Sequence, residues 1–146
     1  MKKLLVVLSV LLMMAGCGKK DEFKTTVCEG DYEGVHVVQT LTHDDTKVYT
    51  QVMCMTSDVA ELFDEEFDVE AALQMMMELY DKEGVTYTYS LDGTILTETI
   101  ELDYEKADMA VLREAMLVEG DETTSYVGYE ETMKNMEAAG LACKLK

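Results

Sequence analysis

The chain has 146 residues and a formal net charge of −18, with 30 acidic side chains against 12 basic ones. That length suits one domain, and a charge so negative repels phosphate backbones and anionic head groups, so a nucleic-acid partner is excluded and a solvated surface or a cationic partner is favoured. Only two histidines and no Cys-x-x-Cys pair disfavour a zinc site.

The first segment has the grammar of an export signal. Met1-Lys2-Lys3 is basic, Leu4 to Met14 is uncharged and apolar, and Ala15-Gly16 places small residues before Cys17. Eleven uncharged residues, Ser9 among them, are too few to span a bilayer, which needs about 20. A cysteine directly after Ala15-Gly16 separates a lipoprotein signal from an ordinary secretory one, because its thiol accepts the diacylglyceryl group before cleavage. Met14 stands where leucine is commoner, and an ordinary signal followed by a chance cysteine is the competing reading. The expectation is a signal over 1–16, a lipidated Cys17 with a short tether over 17–23, and one domain over 24–146 on the outer side of the cell membrane. More than one acyl chain on Cys17 makes such an anchor effectively permanent.

With Cys17 committed to lipid, Cys28, Cys54 and Cys143 remain, and three thiols leave one over. Cys28 falls in the first predicted strand and Cys143 in the last, in a compartment where disulfides persist, so Cys28–Cys143 is the expected bond and Cys54 a buried free thiol. Closing so long a loop is worth about 4–5 kcal/mol in the chain-entropy model. The alternative is three reduced cysteines serving as small core residues.

From Thr25 the pattern is of strands: Thr25–Cys28, a turn at Glu29-Gly30-Asp31, Val35–Leu41, a turn at His43-Asp44-Asp45, then an alternating run over Lys47–Met55. Residues 58–67 are acidic and hold at most a short helical turn. Asp68 caps a helix in which Val69, Ala72, Leu73, Met76 and Leu79-Tyr80 recur at helical spacing, with Gly84 as its stop. Val85–Ser90 and Thr94–Tyr104 flank Asp92-Gly93, a strong hairpin signal. Ala107–Leu117 reads as a shorter helix with Met109, Leu112 and Met116 on one side, capped by Asp103 or Asp108. Residues 120–124 form a loop. Tyr129–Ala139 is a third helix with Met133 and Met136 inward, ended by Gly140, and Leu141–Leu145 is a last strand. The order β-β-β-α-β-β-α-α-β defines an α+β fold: an antiparallel sheet of about five to six strands with two or three helices on one face. Gly34-Val35 and Gly84-Val85 each open a hairpin, a faint internal duplication.

No catalytic constellation stands out. His36 and His43 lack a Ser or Cys elbow and read as surface histidines on opposite faces of a strand. Carboxylate pairs are unavoidable at this acidity, and no Gly-rich phosphate loop occurs. Asp64, Glu65, Glu66, Asp68 and Glu70 could gather calcium, but acidic residues before a helix already suit its positive end. Met75, Met76 and Met77, with Met53, Met55, Met109, Met116, Met133 and Met136, invite a copper or heme idea; core filling, or a groove for an apolar ligand, is the plainer reading. Tyr87 and Tyr89 share one strand face under a helix.

The lipobox, Gly84-Val85 with its hairpin, the Ile100-Glu101-Leu102-Asp103-Tyr104 strand end running into Ala107-Asp108-Met109, and the closing helix before Gly140-Leu141 together resemble the YehR-like family of small bacterial lipoproteins, a domain of unknown function. The resemblance implies an α+β envelope lipoprotein and supplies no site. The expected role is a monomeric, non-enzymatic binding or structural lipoprotein without catalytic residues, cofactor or metal. It would be held by membrane lipid through Cys17, with a cationic or envelope protein as partner. The alternative is a small-ligand, calcium or copper carrier delivering cargo to a membrane partner.

Overall fold

Period-two alternation becomes one antiparallel sheet in the computed structural model, which describes residues 22–64 and 66–146. The strands are β1 Lys24–Tyr32, β2 Val35–His43, β3 Lys47–Asp58, β4 Val85–Asp92, β5 Ile95–Asp103, β6 Val127–Gly128 and β7 Ala142–Leu145. Their order across the sheet is β4-β5-β3-β2-β1-β7, with β6 paired to the start of β3. The helices are α1 Val59–Leu62, α2 Val69–Leu79, α3 Met109–Glu114 and α4 Tyr129–Ala138. The α+β class and the expected alternation hold, with the short helical turn of the 58–67 segment present as α1 and the two-residue β6 added.

Residues opposite one another in register share a face. Cys28, Gln39, Leu41, Gln51, Met53, Ile100, Leu102 and Tyr87 lie on one side. There Cys28, Leu41, Ile100 and Leu102 pack with Tyr104, Leu112 of α3, Met136 of α4 and Leu141 into the core, with Tyr80 just after α2 against them. The other face carries Val27, Val38, Thr40, Thr50, Val52, Cys54, Thr97 and Thr99. Threonine and valine suit a strand surface that is only half-buried.

The hairpins β2–β3 and β4–β5 meet through their second arms, β3 and β5, which pair antiparallel along nine residues of each strand. This is the spatial form of the duplication seen in sequence. Gly34 and Gly84 both take left-handed backbone before the first arm. At Gly84 the reason is doubled, because a Cβ there would come within 2.6 Å of the Ala107 backbone nitrogen.

Three local expectations are corrected. The chain does not turn at Glu29-Gly30-Asp31: β1 runs through it to Tyr32, and the turn is Glu33-Gly34. Gly30 is there for close approach, since a Cβ would meet Leu141 Cδ2 at 3.0 Å and the Gly140 carbonyl at 3.2 Å. The tight turn between β4 and β5 is Gly93-Thr94, one residue later than expected, since Asp92 pairs with Ile95. In α3 the helix ends at Ala115, and Met116 adopts a left-handed backbone that points it outward, 87% exposed, while Leu117 closes the turn by donating to the Leu112 carbonyl. Met116 is therefore not a core residue.

Caps set the helix starts. Asp58, Asp68 and Asp108 each accept a backbone N–H of the first turn, from Ala60, Ala71 and Ala110 respectively. Asp103 instead holds the turn after β5, accepting from the Glu105 N–H and pairing with Lys106 at 2.8 Å. Cys28 and Cys143 stand opposite each other on β1 and β7 and form the disulfide. Cys54 is free but only half-buried, on the threonine-rich face, and so is not the buried thiol expected.

Candidate functional site

A cleft of about 430 Å³ opens between the sheet, the 117–128 segment and α4. Gln39 and Gln51 form its floor, α4 contributes Glu131, Thr132 and Asn135, and the loop contributes Glu119, Asp121 and Tyr126. Its size lies in the range of small-ligand sites. The tiny β6 positions it: pairing of Lys47 and Val48 with Gly128 and Val127 pulls the end of the loop onto β3, and α4 starts at the next residue.

The floor is a directional chain of hydrogen bonds. Tyr104, 8% exposed, donates its hydroxyl proton to Gln51 Oε1 at 2.6 Å. Burial raises the Tyr104 pKa, so the hydroxyl stays protonated. Gln51 then uses its amide nitrogen to donate to Gln39 Oε1. The chain ends at Gln39, which is half-buried at the cleft. Such a buried polar network is tolerated inside a sheet only because its inner members are satisfied.

The rim is acidic. Asp121 accepts from the Thr123 hydroxyl and N–H, bonds that hold its carboxyl below the usual range and so ionised. Glu119 and Glu131 face the cleft, and none of its lining residues is Lys, Arg or His. Tyr126 adds an aromatic ring, 47% exposed.

The two histidines separate sharply. His43 is fully buried, not on the surface as its place beside an Asp-Asp turn suggested. Its Nδ1 accepts from the Asp45 N–H at 3.2 Å, so Nε2 carries the proton and donates to Thr26 Oγ1 at 2.8 Å. Thr26 Oγ1 lies 2.9 Å from the Tyr129 hydroxyl, and the Tyr129 ring stacks on the imidazole at 3.7 Å. Desolvation lowers the His43 pKa, outweighing the opposing pull of Asp45. The cluster ties β1 and β2 to the first residue of α4 and leaves no imidazole nitrogen for chemistry. His36 sits on the other face and is exposed, with Nδ1 2.8 Å from Asp31 and Nε2 3.1 Å from Glu29; the Asp31 bond, then the charges and Glu29, raise its pKa.

The other residues singled out in sequence are scattered. Asp68 is spent on capping, Glu70 stands in the first turn of α2, and Glu65 lies outside the described residues. Among the described residues no three His, Cys, Asp or Glu side chains are arranged to hold a metal ion. Met53, Met55, Met109 and Met133 pack against the core, whereas Met75 and Met77 are exposed on α2. Tyr87 meets Tyr80 edge-on, and Tyr89 is exposed. Cys17 and the signal lie outside the described residues. Sequence reasoning missed Gln39, Gln51 and Tyr104; the one available signal was a glutamine at an inward position in each of two adjacent strands.

Fold and cleft define an α+β domain with helices on one face of a single antiparallel sheet. The chain belongs to the DUF1307 family, described as a protein of unknown function, whose pattern matches residues 24–142. It is similar to the E. coli YehR protein, solved by NMR, with 18% identity, a TM-score of 0.65, and coverage of 85% of this chain and 92% of that one. It is also similar to a Streptococcus pneumoniae TIGR4 protein solved by NMR, at 16% identity and a TM-score of 0.52, covering 88% and 89% of the two chains. At these identities the likeness is one of fold. No curated protein matches.

Proposed function

We propose that this chain is a lipid-anchored extracytoplasmic lipoprotein, monomeric and non-enzymatic, whose domain binds a ligand in the cleft between α4, the 117–128 segment and the sheet. The observation that carries the binding role is the concave cleft itself, of a size that suits a small ligand and floored by the Tyr104–Gln51–Gln39 hydrogen-bond chain. Anchorage is supported by Met14-Ala15-Gly16-Cys17 after an apolar run, seven residues before β1 begins at Lys24. The sheet would then be displayed close to the membrane surface, held by membrane lipid through Cys17.

Two measurements test the proposal. Cells given an alkyne-bearing fatty acid should label the wild-type chain and leave Cys17→Ser unlabelled; label persisting on the variant defeats the anchor. A small polar fragment set titrated against the isotopically labelled chain should shift amides of 117–128 and 129–139 as one group. Shifts located elsewhere, or none, defeat the cleft as the binding site.

A further inference from the structure

We infer that the free edge of β4 is a docking site at which an extended, cationic segment of a protein partner adds as a further strand of the sheet. β4 ends the strand order and pairs with β5 alone, over eight residues and without a register shift. Two contacts fix which of its backbone groups are used. Asp103 donates its N–H to the Gly84 carbonyl at 2.8 Å, and the tight turn closes on Asp92 opposite Ile95. Alternation from either contact turns the N–H and C=O of Thr86, Thr88, Ser90 and Asp92 toward β5, and those of Tyr87, Tyr89 and Leu91 away from the sheet. Among the described residues no strand takes up this outward set. A row of donors and acceptors at two-residue spacing is the complement of an extended backbone and of little else.

Sheets guard such edges with lysine, proline, a bulge or brevity. The opposite edge is guarded: β7 has four residues, carries Lys144 and is tied by the disulfide. β4 reads Val85-Thr86-Tyr87-Thr88-Tyr89-Ser90-Leu91-Asp92 and has none of these devices. On its helix-covered side Tyr80 meets Tyr87, while Tyr89 and Leu91 stay 43% and 39% exposed, so alternate apolar side chains of an added strand would lie beside them. Charge selects the occupant. Asp81 and Glu83 precede the strand, Asp92 ends it, and Glu98 and Glu101 stand on β5 opposite Tyr89 and Thr86; the basic groups nearby are Lys82 and Lys106, the latter already paired with Asp103. With −18 over the whole chain, a basic strand is drawn in, whereas a second copy and an anionic lipid surface are repelled. β1, where the tether enters, lies four strand spacings away, about 19 Å, which leaves this edge open to a partner.

Three probes test the inference on the full, lipidated chain in detergent micelles, read by NMR of the backbone amides: an acetylated, amidated heptapeptide alternating lysine and valine, its glutamate counterpart, and the lysine peptide with every backbone nitrogen methylated. The lysine peptide is expected to shift the amides of 85–92 and to bind at least about tenfold more tightly than either of the others. Methylation keeps the charge and removes the donors, so it separates strand pairing from plain attraction to an acidic surface. Tyr89→Pro deletes an outward N–H and spares the bonds to β5, a substitution that edge strands tolerate; it should abolish peptide binding with the melting temperature lowered by a few degrees at most. If that variant fails to fold, the methylated peptide decides. Equal binding of the methylated or glutamate peptide, unchanged binding to a folded Tyr89→Pro chain, or shifts centred away from 85–92 overturns the inference. So does self-association of the chain alone, seen by sedimentation in density-matched detergent and lost in Tyr89→Pro, since the edge would then belong to a second copy. None of these outcomes bears on the cleft beside α4, whose own test is separate.

Discussion

At the scale of single residues, two glycines with the same left-handed backbone should respond differently to alanine. Gly93 has nothing within 4 Å of an added Cβ, so Gly93→Ala carries only the backbone cost of about 1–2 kcal/mol. Gly84 carries that cost and also drives a methyl into the Ala107 backbone, so Gly84→Ala should lose about 2–5 kcal/mol in urea unfolding. Equal losses would mean the Gly84–Ala107 approach relaxes freely. The histidines offer a second contrast. His43 has its folded pKa lowered by desolvation, so the unfolded chain binds more protons than the folded one just below the ordinary value of about 6.5. Its contribution is complete above that pH and is lost as pH falls toward the folded pKa. His36 has the opposite sign: raised by Asp31 and Glu29, it stabilises below that pH and loses its effect as pH rises through the folded pKa. NMR titration of the two imidazole Cε1 protons should give His36 the higher pKa and His43 the lower, and the reverse order would contradict the buried donor chain.

At the scale of elements, β7 is the shortest strand on the main path of the sheet and the one tied by a covalent bond. It has four residues, lies at the edge, and pairs only with β1. The Cys28–Cys143 bond joins these strands across a separation of 115 residues. Reduction should lower the unfolding free energy by about 4 kcal/mol, if loop entropy governs. In native-state hydrogen exchange the amides of β7 should lose protection before those of β3. An unchanged urea midpoint in reductant would deny the bond a stabilising role. This pairing was legible beforehand because Cys28 and Cys143 sit in recognisable strands at the two ends of the domain. The hairpins, the start of α2 and the end of α4 were legible for the same reason, since alternation, Asp68 and Gly140 act through neighbours in sequence. The cleft was not. Gln39 and Gln51 are ordinary strand residues until β2 and β3 pair and Tyr104 folds back over them, and β6 exists only because β3 offers it an edge. His43 was misplaced because an Asp-Asp turn marks the surface, whereas the stacking partner that buries it, Tyr129, is supplied from far along the chain.

At the scale of the whole molecule, charge acts on stability. Thirty carboxylates against 12 cations leave a field that pushes the folded chain apart, and among the described residues the ion pairs are few and exposed. Screening should therefore raise the melting temperature, because the compact state concentrates the repulsion more than the unfolded one does. Moving from low ionic strength to about 0.5 M sodium chloride should stabilise by about 1 kcal/mol, a rise of roughly 3–6 °C for a domain of this size. Tetramethylammonium chloride at equal ionic strength should do the same, since screening does not depend on which cation is present. A rise confined to one cation would instead identify a specific site.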